Sequence, residues 1–241
     1  FNETKGTQLQ VPLPLYEMLS NEYPEVKHIT RLKNLSVSLQ VEDRKAQQSG
    51  QYVDADFLSM FSFPLIKGDQ ASALMDPSSI VLTRSLAENL FGKADAIGET
   101  VRVNDAFDAQ VSGVIEDIPS NSFFSEITFL APFNFLMANS GLQNFKTNWG
   151  ANVVLTMLEV NEGVSMDAFS DKISLVNKDY DPQSQEQKLS VQPFSKLHLF
   201  NEYENWENAG GKITYVRLFG VIGILVLLIA CINFMNLATA R

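Results

Sequence analysis

Three spacings of apolar residues recur along the chain, and each predicts an element. Leu15, Met18 and Leu19 follow a helical interval behind Pro12 and Pro14, so Leu13–Tyr23 is predicted as a helix that Pro24 stops. Leu35, Val37, Leu39 and Val41 alternate with polar residues, as in a half-buried strand; Glu42–Lys45 then turns toward a partner strand at Gln51–Val53. Asp54 or Asp56 is placed to cap a short helix through Phe61. Ile80-Val81-Leu82 is a short unbroken run, read as a buried strand. Thr83 then caps a helix over Arg84–Phe91, with Gly92 just past its end. Thr100–Val103 and Phe107–Ile115 read as a hairpin across Asn104-Asp105. Ile127–Leu130, Val153–Val160 and Leu189–Phe194 read as strands, and Phe133–Ala138 as a short helix. Ser165 caps a helix to about Tyr180, with Phe169, Ile173, Val176 and Tyr180 on one face. Tyr203–Gly211 reads as a polar linker, with Trp206 and Tyr215 as candidates for a membrane interface.

The third spacing has no polar side at all. Leu218–Ala240 is a run of 23 uncharged residues bracketed by Arg217 and Arg241. At ~1.5 Å per helical residue it reaches roughly 35 Å, enough to cross a hydrocarbon layer of about 30 Å. Leu218, Val221, Ile224, Leu227, Leu228, Cys231 and Phe234 are read as membrane-spanning positions. Gly220 and Gly223 offer close helix approach, and Asn233 and Asn236 place two amides near one end, so these four are candidate helix-packing positions. Interface marking explains the two amides equally well.

Composition narrows the function classes. The formal net charge of −10 falls to −13 once the three basic residues of Lys212–Arg241 are set aside, which disfavours nucleic acid as a partner. The single cysteine, Cys231, lies in the apolar run, so the rest of the chain can form no disulfide and no thiolate metal site. Phe1–Gln10 is polar, begins without methionine and shows no secretory-signal pattern; the chain is expected to be a piece of a longer protein.

The chemistry searched for is missing from the pattern. Gly92-Lys93 and Gly210-Gly211-Lys212 lack phosphate-loop spacing, and no G-x-S-x-G elbow occurs. His28 and His198 stand far apart. The pairs Asp54/Asp56, Glu116/Asp117 and Asp179/Asp181 suit caps and turns better than a metal or an acid–base couple, and Ser184 replaces the glycine a calcium loop would need. No cofactor, metal or catalytic residue is expected. The order helix, strands, β-rich insert, strand, helix, strand gives an α+β plan.

Five stretches carry a family resemblance. Ala230-Cys-Ile-Asn-Phe-Met-Asn-Leu-Ala-Thr-Ala-Arg241 resembles the second transmembrane helix of FtsX-like ABC transporter permeases. Val53–Gly68, then Ile80–Gly92 closing on Phe-Gly, Ala96-Ile-Gly98 and Phe107–Glu116, are similar to the MacB-like periplasmic core domain that precedes that helix. The resemblance implies a porter-like subdomain of residues 1–53 with 119–200, interrupted by a sabre-like insert at 54–118. A membrane-proximal linker at 201–217 and a transmembrane helix at 218–240 follow. It also implies a non-catalytic subunit of a four-helix permease in the bacterial inner membrane, with residues 1–211 in the periplasm. The implied partners are an ATP-binding cassette ATPase, a second permease subunit and membrane lipid, with room for a periplasmic adaptor or outer-membrane partner. The implied work is coupling ATP hydrolysis to export of peptide, drug or lipoprotein-type cargo, or to control of cell-wall enzymes. A sensor domain of a membrane receptor or kinase is the alternative from another class. An anchored hydrolase would need a catalytic cluster that the sequence does not offer.

Overall fold

The computed structural model describes residues 8–180, 188–197, 202–204 and 207–239. The chain divides into two compact units, Leu9–Ser190 and a unit of residues 1–8 with Val191–Arg241.

The first unit runs β1 (Gln10–Pro12), α1 (Leu15–Glu22), β2 (Val26–Val41), β3 (Arg44–Val53), α2 (Phe57–Met60), β4 (Leu65–Gly68), β5 (Ser79–Thr83) and α3 (Arg84–Phe91). It continues with β6 (Thr100–Val103), β7 (Phe107–Ile115), β8 (Phe129–Pro132), α4 (Phe133–Asn139), a 3₁₀ turn at Gly141–Phe145, β9 (Asn152–Val160), α5 (Met166–Ile173) and α6 (Val176–Tyr180). The α+β class stands. Its strands form one nine-stranded sheet in the order β1-β9-β2-β3-β8-β5-β7-β4, with β6 between β2 and β7.

The long hairpin β2–β3 is the spine of this sheet. Glu42 turns it at φ 50°, and the ladder runs from Val41 opposite Arg44 to Leu32 opposite Val53. Near its open end β2 pairs with β9; near its tip it pairs with β6. The second pairing closes a circuit: β2 to β3, β3 to β8, β8 to β5, β5 to β7, β7 to β6, and β6 back to β2. Asn104 clamps that closure, its N–H donating to the Ser38 carbonyl at 2.8 Å and its Oδ1 accepting from the Ser38 N–H at 2.9 Å. Asn104 and Asp105, the central residues of the Val103–Ala106 turn in the three-residue β6–β7 loop, both adopt positive φ.

All six strands of the ring contribute to one apolar cluster, among them Leu39, Tyr52, Leu82, Val103, Val111 and Phe129. The alternate residues Val53, Val81, Ile115 and Leu130 face a second cluster with Phe57, Leu58 and Phe124. Burial on both faces explains the unbroken runs Ile80-Val81-Leu82 and Phe129-Leu130-Ala131, which no half-exposed strand would carry. Gly50 lies opposite Phe129 because nothing larger fits: a Cβ there would meet the ring atoms at 2.0–2.3 Å.

An ion pair is buried in this unit as well. The Arg31 guanidinium lies 4.1 Å from the ring centroids of both Tyr16 and Phe133. Its Nη2 donates to Asp54 Oδ1 at 2.6 Å, while its Nε and backbone N–H donate to Oδ2 at 3.0 and 2.7 Å. Asp54 is therefore an ion-pair partner and not the helix cap its position suggested. Asp56 stands at the N-cap of α2 without a side-chain cap bond, and its carboxylate meets His28 Nδ1 at 3.2 Å.

Several boundaries differ from the sequence expectation. β2 begins at Val26 instead of Leu35, because Ile29 to Leu32 are buried in succession and show no alternation. The helix after Ser165 breaks at Ser174-Leu175 into α5 and α6, although the Ser165 hydroxyl does accept from the Ala168 N–H. The strand expected at Leu189–Phe194 does not form. Pro193 has no N–H to give a ladder, and the Leu189 N–H is taken by the Ser174 carbonyl at 3.0 Å.

Substitutions at the ion pair, at two glycines and at Tyr52 test this account. Asp54→Asn leaves a buried guanidinium without its counter-charge and is expected to cost about 3–5 kcal/mol in denaturant unfolding. Arg31→Met with Asp54→Leu is expected to recover most of that loss, since apolar replacement of a buried pair is often near neutral. Gly50→Ala is expected to destabilise by about 1–3 kcal/mol through the clash with Phe129. Gly113→Ala, whose Cβ would find its nearest neighbour at an ordinary 3.4 Å, should be neutral or raise stability by up to about 1 kcal/mol. Burial pushes the Tyr52 phenol from 10.0 up to about 12. The neutral phenol thus contributes stability in full below pH 10, and that contribution fades as pH rises toward 12. Tyr52→Phe is expected to remove about 2–3 kcal/mol of the alkaline loss seen between those limits in thermal melts.

Candidate membrane-spanning helix and its junction

The second unit holds α7 (Phe194–Leu197), the antiparallel strands β10 (Glu202–Glu204) and β11 (Glu207–Gly210), and α8 (Lys212–Thr239). The stretch expected as a linker, 201–217, thus contains a small hairpin and the first turns of a helix. β11 ends at Gly210 and α8 begins at Lys212, so a single residue, Gly211, separates strand from helix. Gly211 takes φ 117°, a region that favours glycine, and its carbonyl accepts from the Thr214 N–H at 3.0 Å.

At 28 residues α8 reaches about 42 Å, and it is long and apolar enough to cross a membrane. None of its residues is buried. Leu218, Val221, Ile224, Leu227, Leu228, Cys231 and Phe234 are exposed around the whole circumference, Phe234 at 73 %. Gly220 and Gly223 have open space where a Cβ would stand. Asn233 and Asn236 are exposed too, so among the described residues none of the four packing candidates lies against another element. Near the end, the Thr239 hydroxyl donates back to the Met235 carbonyl at 2.9 Å, a way for a hydroxyl to satisfy itself in apolar surroundings. Tyr215 is exposed at the start of α8; Trp206, His198, Asp181, Ser184, Ala240 and Arg241 lie outside the described residues.

The acidic pairs of the first unit serve local structure. Asp117 accepts the Ser85 N–H at 3.0 Å and its hydroxyl at 2.6 Å, anchoring the first turn of α3. These bonds hold its carboxyl below the usual range. Glu116 pairs with Arg84. Asp54 is saturated by Arg31. Among the described residues no group of three or more His, Cys, Asp or Glu is placed to hold a metal ion. Sequence reasoning gave Arg31 no role and read Gly210-Gly211 only as part of a polar linker without phosphate-loop spacing. A cation close to the apolar Ile29 and Leu32, and a Gly-Gly pair six residues ahead of the apolar run, were the signals that could have found them.

No curated protein matches the chain closely enough to count as a relative. Solved structures share its fold. A domain of a protein assigned as a permease from Porphyromonas gingivalis aligns with TM-score 0.65 at 24 % identity, over 78 % of this chain and 85 % of that one. The extracellular domain of the noncanonic ABC-type transporter YknZ from Gram-positive bacteria gives TM-score 0.56 at 14 % identity, over 78 % and 91 %. The periplasmic region of MacB from Actinobacillus actinomycetemcomitans gives TM-score 0.54 at 15 % identity, over 70 % and 74 %. The family described as MacB-like periplasmic core domain matches residues 2–176, most of the chain ahead of its apolar helix. By that match the chain belongs to the MacB-like periplasmic core domain family.

Proposed function

We propose that this chain is the extracytoplasmic domain and second membrane helix of an FtsX-like ABC transporter permease. In this reading residues 1–211 lie in the periplasm, and α8 enters the bacterial inner membrane through Leu218, Val221, Ile224, Leu227, Leu228, Cys231 and Phe234. Gly220, Gly223, Asn233 and Asn236 face neighbouring membrane helices. A separate ATP-binding cassette ATPase drives the movement, a second permease subunit completes a dimer, and the subunit itself does no chemistry. The cargo is of the peptide, drug or lipoprotein type.

The observation that carries the reading is the family match over residues 2–176 with one helix of spanning length after it in the same chain; the one-residue junction at Gly211, within the second unit, supports its lever-like part. A strand that passes into a spanning-length helix without a loop transmits displacement, whereas a slack linker would absorb it. Named neighbours of the fold, MacB and the ABC-type transporter YknZ, support the transporter class over the sensor alternative. The division into a porter-like part (1–53 with 119–200) and a sabre-like insert (54–118) belongs to the same proposal. It is supported by β4, β5 and β6 all pairing with β7; outward links from 54–118 run through β5–β8 and β2–β6.

Inserting about eight Gly/Ser residues between Gly210 and Gly211 of the intact permease is expected to abolish ATP-dependent export. Membrane assembly and ATPase binding should survive. Export at the unmodified rate through such a flexible insert would refute the transmission reading.

A further inference from the structure

Inside the strand ring, Ser79 is out of keeping with its surroundings. It opens β5, is 4 % exposed, and its hydroxyl has no hydrogen-bond partner among the described residues. Its backbone N–H is already committed to the Asp76 carbonyl at 2.9 Å. A buried hydroxyl left unpaired costs about 1–3 kcal/mol, so some group should meet it.

Ser79 lies on the wall of a cavity of about 10 Å³, with Tyr52, Val103, Ala109, Phe129 and Phe135 among the other lining residues. That volume is about what one water molecule needs, and far below what an organic ligand needs. The wall is not purely apolar. Tyr52 is a second hydroxyl-bearing residue on it, held beside Phe129 at 6.1 Å and Phe135 at 6.4 Å between ring centroids. Burial keeps this phenol neutral, so it can both donate and accept. A void of this size lined only by hydrocarbon would stay dry; one with two hydroxyl-bearing residues on its wall can hold water.

We infer that the interior of the ring holds one ordered water molecule, hydrogen-bonded to the Ser79 hydroxyl and within reach of Tyr52. Ser79 is then a core position that requires a polar residue, and the ring core is a hydrated joint in an otherwise apolar layer.

A crystal structure of the full chain, grown from a lipid mesophase at high resolution, tests this. One fully occupied density peak is expected inside the ring, about 2.8 Å from Ser79 Oγ. In Ser79→Ala the peak should be lost while the surrounding strands superpose. A cavity without density in the unsubstituted chain overturns the inference, as does a Ser79 hydroxyl donating to a strand carbonyl. A peak that survives undiminished in Ser79→Ala overturns it as well.

Discussion

A guanidinium withdrawn from water has to find a carboxylate and enough acceptors for its remaining hydrogens, and the first unit is assembled around one such demand. Arg31 comes from the middle of β2, Asp54 from the residue after β3, Tyr16 from α1, and Phe133 from the first residue of α4. Removing either charge leaves the other buried and unpaired. The arrangement adds little net stability over a well-packed apolar substitute, because desolvation offsets the Coulomb attraction. It does fix which helix lies against which part of the β2–β3 hairpin. A planar fork between two rings accepts one orientation, whereas a leucine would accept several.

The strand ring depends on the same placement. β3 turns into α2 where Asp54 is held, and β8 pairs with the last four residues of β3, from Gly50 to Val53, beside that point. Once β8 is seated, its other edge receives β5, and β5 brings β7 and β6 round to the hairpin tip. Closure removes sheet edges that would otherwise remain open to another chain. The ring interior is then finished by the helices that follow its strands directly. Leu86, Ala87 and Leu90 of α3 and Phe133 and Leu136 of α4 join the same apolar cluster. The ring closes the sheet on itself, and β5 and β8 are buried along their whole length.

Much of this was readable where local chemistry decided the outcome. The helix Arg84–Phe91 and the hairpin across Asn104-Asp105 have the boundaries that capping and turn rules assign. The apolar run near the C-terminus is a helix, extended back to Lys212 by residues whose polarity had suggested a linker. Reading failed where tertiary partners decided. The first half of β2 carries no alternation because β9 lies beside it and layers cover both faces. Nothing local to Arg31 signals the two rings that enclose it. Asp54 sits where a cap should sit and was claimed by a group 23 positions away. Periodicity reports solvent on one side of an element, so it is silent wherever there is none.

In the second unit the demand is the reverse, for apolar cover. α8 has no apolar cover from the described protein, and an exposed hydrocarbon surface of this extent is not tolerated in water. Something apolar must surround it, and its own composition says what. Leucine, isoleucine, valine and phenylalanine all round suit acyl chains, for which no preferred face is needed. Asn233 and Asn236 are the exception, since an amide in hydrocarbon needs a partner or a headgroup. They stand within the last seven residues of the described helix, about 10 Å or less from its end at ~1.5 Å per residue. If residues 212–217 stay in the opposite headgroup layer, as Lys212 and Arg217 require, a layer of about 30 Å ends near residue 237. Both amides then fall at its inner margin. There they can reach water, a headgroup or a second helix without any residue of α8 being left unsatisfied.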